Sequence, residues 1–228
     1  MNNTAGYLQT PEGDIMPPLH LLSEDKDKYK YTEHKIWGTP IKGLLVWERK
    51  LYLDARGSYQ ELSRTEQIEK VLERKIDIQQ VSNSLNEPYG VLRGVHAEEM
   101  DKLITPWRGK FFIAIVDVRT ESPTFGKYVT FTIDQTNPRK PKKTFVVSRG
   151  LGNSFETIWL EGEQKGEVAE YLYQITEAYK TSEGKKQIRY NDPDVGIPWP
   201  VEPTIMSEQD AYNNPSLRDL FPNKFHDK

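Results

Sequence analysis

Cysteine is absent from this 228-residue sequence, and histidine is scarce. Without cysteine the chain has no disulfide framework, no thiolate nucleophile and no Cys-ligated zinc, and a reducing compartment is its expected home. Only His96 lies within the apolar part of the pattern, because His20, His34 and His226 lie towards the two ends of the sequence. A metal site of about three imidazoles and a carboxylate cannot be assembled from this central region. We therefore expect no metal ion.

Charge of one sign and long apolar runs are also missing. Lys and Arg total 31 against 34 for Asp and Glu, which gives a formal net charge of −3. That balance lacks the basic surface that nucleic-acid binding requires. No stretch approaches the roughly 20 apolar residues that span a bilayer, and the first residues lack the basic and apolar segments of a signal peptide. The sequence predicts a soluble cytoplasmic protein with no nucleic-acid or membrane partner.

Three common sequence motifs are absent as well. The chain has no GxSxG, no GxxxxGK[ST] and no GxGxxG that follows a strand. Hydrolase, P-loop and Rossmann assignments therefore have no support.

The apolar pattern favours strands over helices. Short runs separated by turn residues recur along the chain, and in YVTFTID the residues Val129, Phe131 and Ile133 alternate with polar neighbours. One helix is predicted over 63–75, where Ser63 and Glu66 fit a capping box and Glu66 can pair with Lys70. Many strands beside one long helical pattern predict an all-β sandwich or barrel rather than an alternating βαβ fold.

The N-terminal region differs in composition from the rest. Residues 1–44 are polar and contain four prolines, so they predict an extended arm that gains order by docking on a partner subunit. Residues 45–228 are predicted to form the main domain.

His96 lies in the segment GVLRGVHAEEMDKLI, just after a glycine-rich turn and at the start of another apolar run. A lone histidine at a strand end is often only a polar residue with backbone partners. It is also the side chain best suited to general-base work near neutral pH. The cations Arg93 and Lys102 flank it, which favours an anionic or carbonyl-bearing ligand over a purely structural role.

Several segments together resemble the dTDP-4-dehydrorhamnose 3,5-epimerase family. They occur in the family's order and are DARGSYQE (54–61), VLRGVHAE (91–98), DKL (101–103), VDVRTESPTFGKYV (116–129), SRGLGNSF (148–155), EYLY (170–173), NDPDVGIPWP (191–200) and MSEQDA (206–211). The match runs from about residue 45 to about residue 220. The resemblance implies a cupin-type β-sandwich or jelly roll, a homodimer without a cofactor, and a nucleotide-linked 4-keto-6-deoxyhexose as substrate, most often dTDP-linked.

The resemblance also assigns catalytic roles. His96 matches the family's base, Asp210 the carboxylate that forms a dyad with it, and Tyr173 the proton donor across the sugar. Lys102 and Arg93 match the cations around the C4 keto group. From the pattern alone, Tyr173 would be a core residue and Asp210 an ordinary turn or helix-start residue.

Further positions match substrate contacts of the family. Arg56 and Glu61 match nucleotide contacts, although by pattern alone they are an exposed pair. Gln80 and Asn83 fall where the family has polar contacts to the nucleotide or the sugar, and Glu183 falls near a contact to the base or the diphosphate.

Two positions depart from the family pattern. Asn153 replaces a histidine near the sugar, which leaves a hydrogen-bond donor but removes a titratable group. Gln209 replaces a lysine just before Asp210. Asn153 and the HAExxxK spacing resemble a subgroup of the family, and they leave open which sugar is bound and whether one or both carbons are inverted.

The sequence therefore predicts an isomerase that inverts C3, C5 or both by proton abstraction and return, in a pathway such as dTDP-rhamnose biosynthesis. The alternatives are a single-carbon epimerase, a ketoisomerase of a related sugar nucleotide, and a non-catalytic cupin that binds a sugar nucleotide.

Overall fold

The computed structural model describes residues 8–9, 14–22, 34–87, 90–158, 168–178 and 185–225. The strands are β1 (Leu8–Gln9), β2 (Ile15–Met16), β3 (His20–Leu21), β4 (His34–Gly38), β5 (Leu44–Arg49), β6 (Leu51–Asp54), β7 (Gly57–Gln60), β8 (Gln80–Asn86), β9 (Leu92–Ala97), β10 (Lys102–Asp117), β11 (Tyr128–Gln135), β12 (Lys143–Val147), β13 (Leu151–Thr157), β14 (Ala169–Ile175) and β15 (Lys186–Ile188). The helices are α1 (Thr65–Leu72) and α2 (Leu217–Leu220), with a π-helical turn at Gln209–Asn213 and a 3-10 turn at Pro222–Lys224.

Two antiparallel sheets share the long strand β10. One sheet has the order β3-β4-β5-β12-β10-β14-β8, and the other has the order β15-β9-β13-β10-β11-β2-β1. β10 changes sheets near its middle, where the register shifts between Pro106 and Arg108 and Gly109 has φ +98°. A proline and a bulge both interrupt regular pairing, so the strand bends there. The predicted all-β sandwich is confirmed.

The main core fills the space between the sheets. The alternating residues Val129, Phe131 and Ile133 of β11 are buried in it, as their spacing predicts. Aromatic rings join the two sheets: the centroids of Phe111 and Tyr171 lie 5.4 Å apart. Contacts of this kind hold the sheets together at one fixed separation.

Each sheet is also covered on its outer face. α1 covers the first sheet, where Ile68 packs with Trp47 and Leu103. The C-terminal residues cover the second sheet, where the ring of Trp199 lies 5.5 Å from that of Phe112. No helix in the described part of the chain is long and apolar enough to cross a membrane.

The predicted capping box at the start of α1 is wrong. The helix begins at Thr65, and its N-cap Arg64 makes no side-chain cap hydrogen bond. The hydroxyl of Ser63 instead donates to Gln174 Oε1 at 2.9 Å, because the strand beside the helix offers it an acceptor. The predicted Glu66–Lys70 pair is confirmed at 2.9 Å.

The described parts of the N-terminal region pair with this chain's own sheets. β2 pairs with β11, while β3 and β4 extend the sheet beyond β5. The carboxylate of Asp14 is fully buried and accepts hydrogen bonds from Lys140 at 2.6 Å and Lys143 at 2.8 Å. The division into an arm of residues 1–44 and a domain of residues 45–228 stays a prediction, as does the docking of the arm on a partner subunit.

Candidate active site

A cavity of about 290 Å³ is lined by residues of both sheets. Six of the residues singled out in the sequence line it: Gln80, Arg93, His96, Lys102, Asn153 and Tyr173. His96 and Asn153 come from β9 and β13 in one sheet, whereas Tyr173 comes from β14 in the other. His96 and Tyr173 therefore occupy opposite walls.

A bulge in β9 brings Arg93 and His96 to the same wall. In the ladder with β13, Phe155 pairs with Arg93 and Asn153 pairs with His96, so Gly94 and Val95 together oppose Ser154. In a regular strand, side chains three residues apart point to opposite faces. The extra residue of the bulge reverses this, and it explains why both side chains of the RGVH segment reach the cavity.

His96 and Asp210 form the predicted pair. His96 Nε2 lies 2.7 Å from Asp210 Oδ1. Gly94 makes this approach possible, because a Cβ atom at residue 94 would lie 2.2 Å from Asp210 Oδ1. The segment that carries Asp210 is tied to β9, since Leu92 N donates to Ile205 O at 2.9 Å.

Asp210 is buried among hydrogen-bond donors. It is 5% exposed, and besides His96 it accepts hydrogen bonds from Ser207 Oγ at 3.0 Å and Asn214 Nδ2 at 3.1 Å. Burial alone would raise the pKa of Asp210. The hydrogen bond and charge of His96, the backbone N–H of Gly94 and the hydroxyl of Ser207 instead hold that pKa below its usual range. Asp210 therefore stays ionised and can stabilise a protonated His96.

Lys102 is buried beside a carboxylate that the sequence reasoning did not single out. Its Nζ donates to the carbonyl of His96 at 3.0 Å and forms an ion pair with Glu98. Burial lowers the pKa of Lys102, and the charge and hydrogen bond of Glu98 oppose this. The cavity is thus lined by the amino group of Lys102, which lies next to the carboxylate of Glu98.

Tyr173 and Asn153 complete the polar lining. Burial raises the pKa of Tyr173 above its usual range, Arg93 opposes the rise and Glu98 adds to it, so the phenol keeps its proton. Asn153 is 6% exposed, and its Oδ1 accepts a hydrogen bond from the Tyr171 hydroxyl at 3.3 Å. Asn153 also lines the cavity.

Three predicted contact residues of the described part of the chain do not line the cavity: Arg56, Glu61 and Asn83. Asn83 points away from it and donates to Glu170 at 3.1 Å, while Ser82 and Ser84 line the cavity instead. Arg56 pairs with Asp54 in the exposed turn between β6 and β7. Glu61 pairs with Arg49 and Arg64. Glu183 lies outside the described residues. The roles of all four residues stay predictions.

Five further side chains of the cavity were missed in the sequence: Ser82, Ser84, Glu98, Met100 and Ile175. The period of a strand could have found the serines, since they follow Gln80 at every second position. Glu98 lies two residues after His96 and could have been found as a charged residue next to the base. Among the described residues, no three metal-ligating side chains come close together.

Residues 38–219 match the family model described as dTDP-4-dehydrorhamnose 3,5-epimerase. The dTDP-4-dehydrorhamnose 3,5-epimerase of Salmonella typhimurium is 33% identical over 167 residues, which is 71% of this chain and 84% of that protein. The resemblance carried by the motifs is thereby confirmed; the subgroup assignment from Asn153 stays a prediction.

Solved structures share the fold. The dTDP-6-deoxy-D-glucose-3,5-epimerase of Legionella pneumophila, in complex with dTDP-4-keto-L-rhamnose, matches with TM-score 0.70 and 29% identity over 81% of this chain and 93% of that one. ChmJ, a 3'-monoepimerase from Streptomyces bikiniensis in complex with dTDP-quinovose, matches with TM-score 0.68 and 26% identity over 81% of this chain and 89% of that one. The expected cupin-type fold is confirmed.

Proposed function

Because this chain belongs to the dTDP-4-dehydrorhamnose 3,5-epimerase family, we propose that it inverts C3, C5 or both in a 4-keto-6-deoxyhexose linked to dTDP. The observation that carries the proposal is the His96–Asp210 pair on one wall of a cavity whose opposite wall holds Tyr173. Inversion of a carbon needs a base and an acid on opposite faces of the sugar.

His96 is the proposed base. Its Nε2 contacts Asp210, which leaves Nδ1 to take a proton from the carbon beside the C4 ketone. The electron pair of the broken C–H bond moves onto the C4 oxygen and gives an enolate. The ionised Asp210 stabilises the imidazolium that forms and holds the ring in place.

Hydrogen-bond donors around the C4 oxygen are proposed to stabilise the enolate. Lys102, Arg93 and the amide of Asn153 all line the cavity. Donors that are already in place stabilise the charge as it develops, at no cost in reorganisation. Gln80 and Ser82 are proposed to bind other polar groups of the substrate.

Tyr173 is the proposed acid. Its phenol gives a proton to the enolate carbon from the opposite face, so the C–H bond is restored with inverted configuration. None of these steps consumes an oxidant or a metal ion. Before the next turnover, His96 releases its proton to solvent and the phenolate of Tyr173 takes one up from solvent.

A single-carbon epimerase is the second candidate. Asn153 stands where the family has a histidine, and a non-titratable group there reduces the proton-transfer capacity of the site. ChmJ, to which the chain is similar, is described as a 3'-monoepimerase. A ketoisomerase and a non-catalytic sugar-nucleotide-binding cupin are the remaining alternatives.

Proton NMR in D₂O separates these candidates. The purified protein is incubated with dTDP-4-keto-6-deoxyglucose, and deuterium at C3 and at C5 is followed separately. Exchange and inversion at both carbons support a double epimerase, and exchange at one carbon supports a single epimerase. Binding without exchange contradicts catalysis.

Tyr173→Phe tests the division of roles in the same experiment. With His96 intact, deuterium should still enter C3 or C5, while the inverted product falls by about 10²–10⁴-fold. Equal losses of exchange and inversion would make Tyr173 a packing residue, and unchanged inversion would remove it from the reaction.

A cytoplasmic homodimer is also part of the proposal, with the N-terminal arm contributing to the interface. Val81 and Leu85 are 69% and 53% exposed on β8, which lies at the end of its sheet in the described part of the chain. Exposed apolar side chains on an edge strand favour pairing with another chain. Light scattering at micromolar concentration tests this, and a monomer would contradict it.

A further inference from the structure

Glu98 is a charged side chain of the cavity to which the proposed proton transfers give no task. It lies just after β9 and forms an ion pair with Lys102, and the side chains of both residues are 7% exposed. A charge buried to this extent is costly unless an opposite charge and hydrogen bonds compensate it. Each member of the pair therefore depends on the other.

Several groups act on the ammonium of Lys102. The carbonyl of His96 accepts its hydrogen bond at 3.0 Å. Arg93 and Tyr173 line the same cavity from β9 and β14, and Lys185, just before β15, adds a second positive charge nearby. Burial and Lys185 both favour the neutral amine, whereas Glu98 favours the ammonium.

We propose that Glu98 is a positioning residue that keeps Lys102 protonated and directed into the cavity, so that Lys102 can stabilise the enolate. The inference rests on the proposed function of the site. Without the carboxylate, burial and the charge of Lys185 act against the ammonium, and only the hydrogen bond to the His96 carbonyl favours it. The amine then loses its proton at a lower pH, and Arg93 is left as the cation that lines the cavity.

Glu98→Gln tests the proposal through the pH profile of kcat/KM. Glutamine has nearly the same shape but no charge, so a purely structural role would change the rate without moving the profile. We expect the alkaline limb to move to lower pH by about one unit or more. At the acid end of the profile, where Lys102 is protonated in either protein, activity should stay within about tenfold of the wild type. An unmoved alkaline limb would overturn the proposal.

Glu99→Gln is the matched control. Glu99 is the next residue, but its side chain is 60% exposed and contacts Lys186 at 3.4 Å on the surface. This variant should keep the wild-type profile. A shift equal to that of Glu98→Gln would show that surface charge alone causes the effect, and it would also overturn the proposal.

A readout without substrate separates this inference from the proposed function. In protein labelled with ¹³C at the lysine ε-carbon, the signal of Lys102 is assigned by its loss in Lys102→Met and then titrated by NMR. Glu98→Gln should lower the pH midpoint of that signal by about one unit or more. An unchanged midpoint rejects the role of Glu98 even if the protein is an epimerase. A shifted midpoint in a protein that exchanges no proton of the sugar supports the pair and rejects the function.

Discussion

Two buried carboxylates of this protein have opposite surroundings. Asp210, on the cavity side, has the donors His96, Ser207 and Asn214 directed at it. Glu156 of β13 is fully buried under the C-terminal residues, beside Phe112 of β10, and neither of its oxygens accepts a well-formed hydrogen bond from the described residues. The two carboxyl groups are nearly equally hidden from water and differ in what faces them.

The difference appears in their pKa values. That of Asp210 lies below its usual range. Burial raises the pKa of Glu156 to about 8, with the charge of Glu202 adding to the rise and the backbone of Val201 opposing it. Depth alone therefore does not decide whether a carboxyl group is ionised, because donors aimed at the charge can outweigh desolvation. The surroundings of Asp210 stabilise its ionised form, whereas those of Glu156 favour the neutral acid near neutral pH.

The largest expected effect comes from neutralising Asp210. Asp210→Asn keeps the shape but removes the charge that stabilises protonated His96, so epimerisation should fall by about 10²–10⁴-fold. Steady-state kinetics at pH 7 measure this. Glu156→Gln is the control and should stay near wild-type activity, because Glu156 is already protonated at that pH. Activity of Asp210→Asn within a few-fold of the wild type would contradict the dyad.

Gly94→Ala should break the same pair by volume rather than by charge. The added methyl group would lie 2.2 Å from Asp210 Oδ1, so the carboxylate must move away from His96. We expect activity to fall by about 10–10³-fold, less than the loss of a general base, because the charge remains nearby. Gly57→Ala is the control: its methyl group meets nothing within 4 Å, although φ is +139°. That variant should lose stability and keep activity, whereas equal activity in the two variants would contradict the steric argument.

Glu156→Gln should change stability with pH rather than activity. The folded chain keeps the proton of Glu156 up to about pH 8, whereas the unfolded chain releases it near the ordinary value of 4.5. Between these values the folded state binds more protons, so the free energy of unfolding falls as pH rises. At about 1.4 kcal/mol for each pKa unit, the loss reaches a few kcal/mol above pH 8.

Thermal unfolding at two pH values measures this effect. The variant should unfold at a higher temperature than the wild type at pH 9 and at a similar temperature at pH 5. The same difference at both pH values would show that Glu156 does not titrate in this window.

The smallest expected effect is that of Glu202→Gln. Glu202 is exposed, and its charge adds to the rise in the pKa of Glu156. Removing it should lower the pH midpoint of the stability loss by a few tenths of a unit, because exposed charges are well screened. The effect should vanish in the Glu156→Gln background, and an effect that persists there would belong to Glu202 itself.

The sequence predicted the sandwich and half of the residues that line the cavity. His96, Lys102, Asn153 and Tyr173 were found because ordered motifs carry them, although strand pairing alone brings them together. The predicted helix cap is wrong because a distant residue intervenes. Ser63 has the local pattern of a cap, but a distant acceptor on Gln174 competes for its hydroxyl. Local propensity cannot anticipate such a contact.

The prediction of Asn83 rather than Ser82 as a substrate contact shows a second limit of reading the sequence. In β8 the serines face the cavity, while Val81 and Leu85 are exposed on the other face. This reverses the usual rule that apolar side chains face inward. Pattern reading alone therefore cannot assign the faces of this strand. The bulge in β9 is equally hidden, since only the pairing with β13 shows that Arg93 and His96 share a face.

The shared strand β10 has a mechanical consequence. Because it pairs with β12 and β14 in its first half and with β11 and β13 in its second, the two sheets cannot slide or open as rigid bodies without bending β10 or breaking its hydrogen bonds to these strands. We therefore expect the walls that carry His96 and Tyr173 to keep their separation. The amide hydrogens in the centre of β10 should be among the last to exchange with solvent.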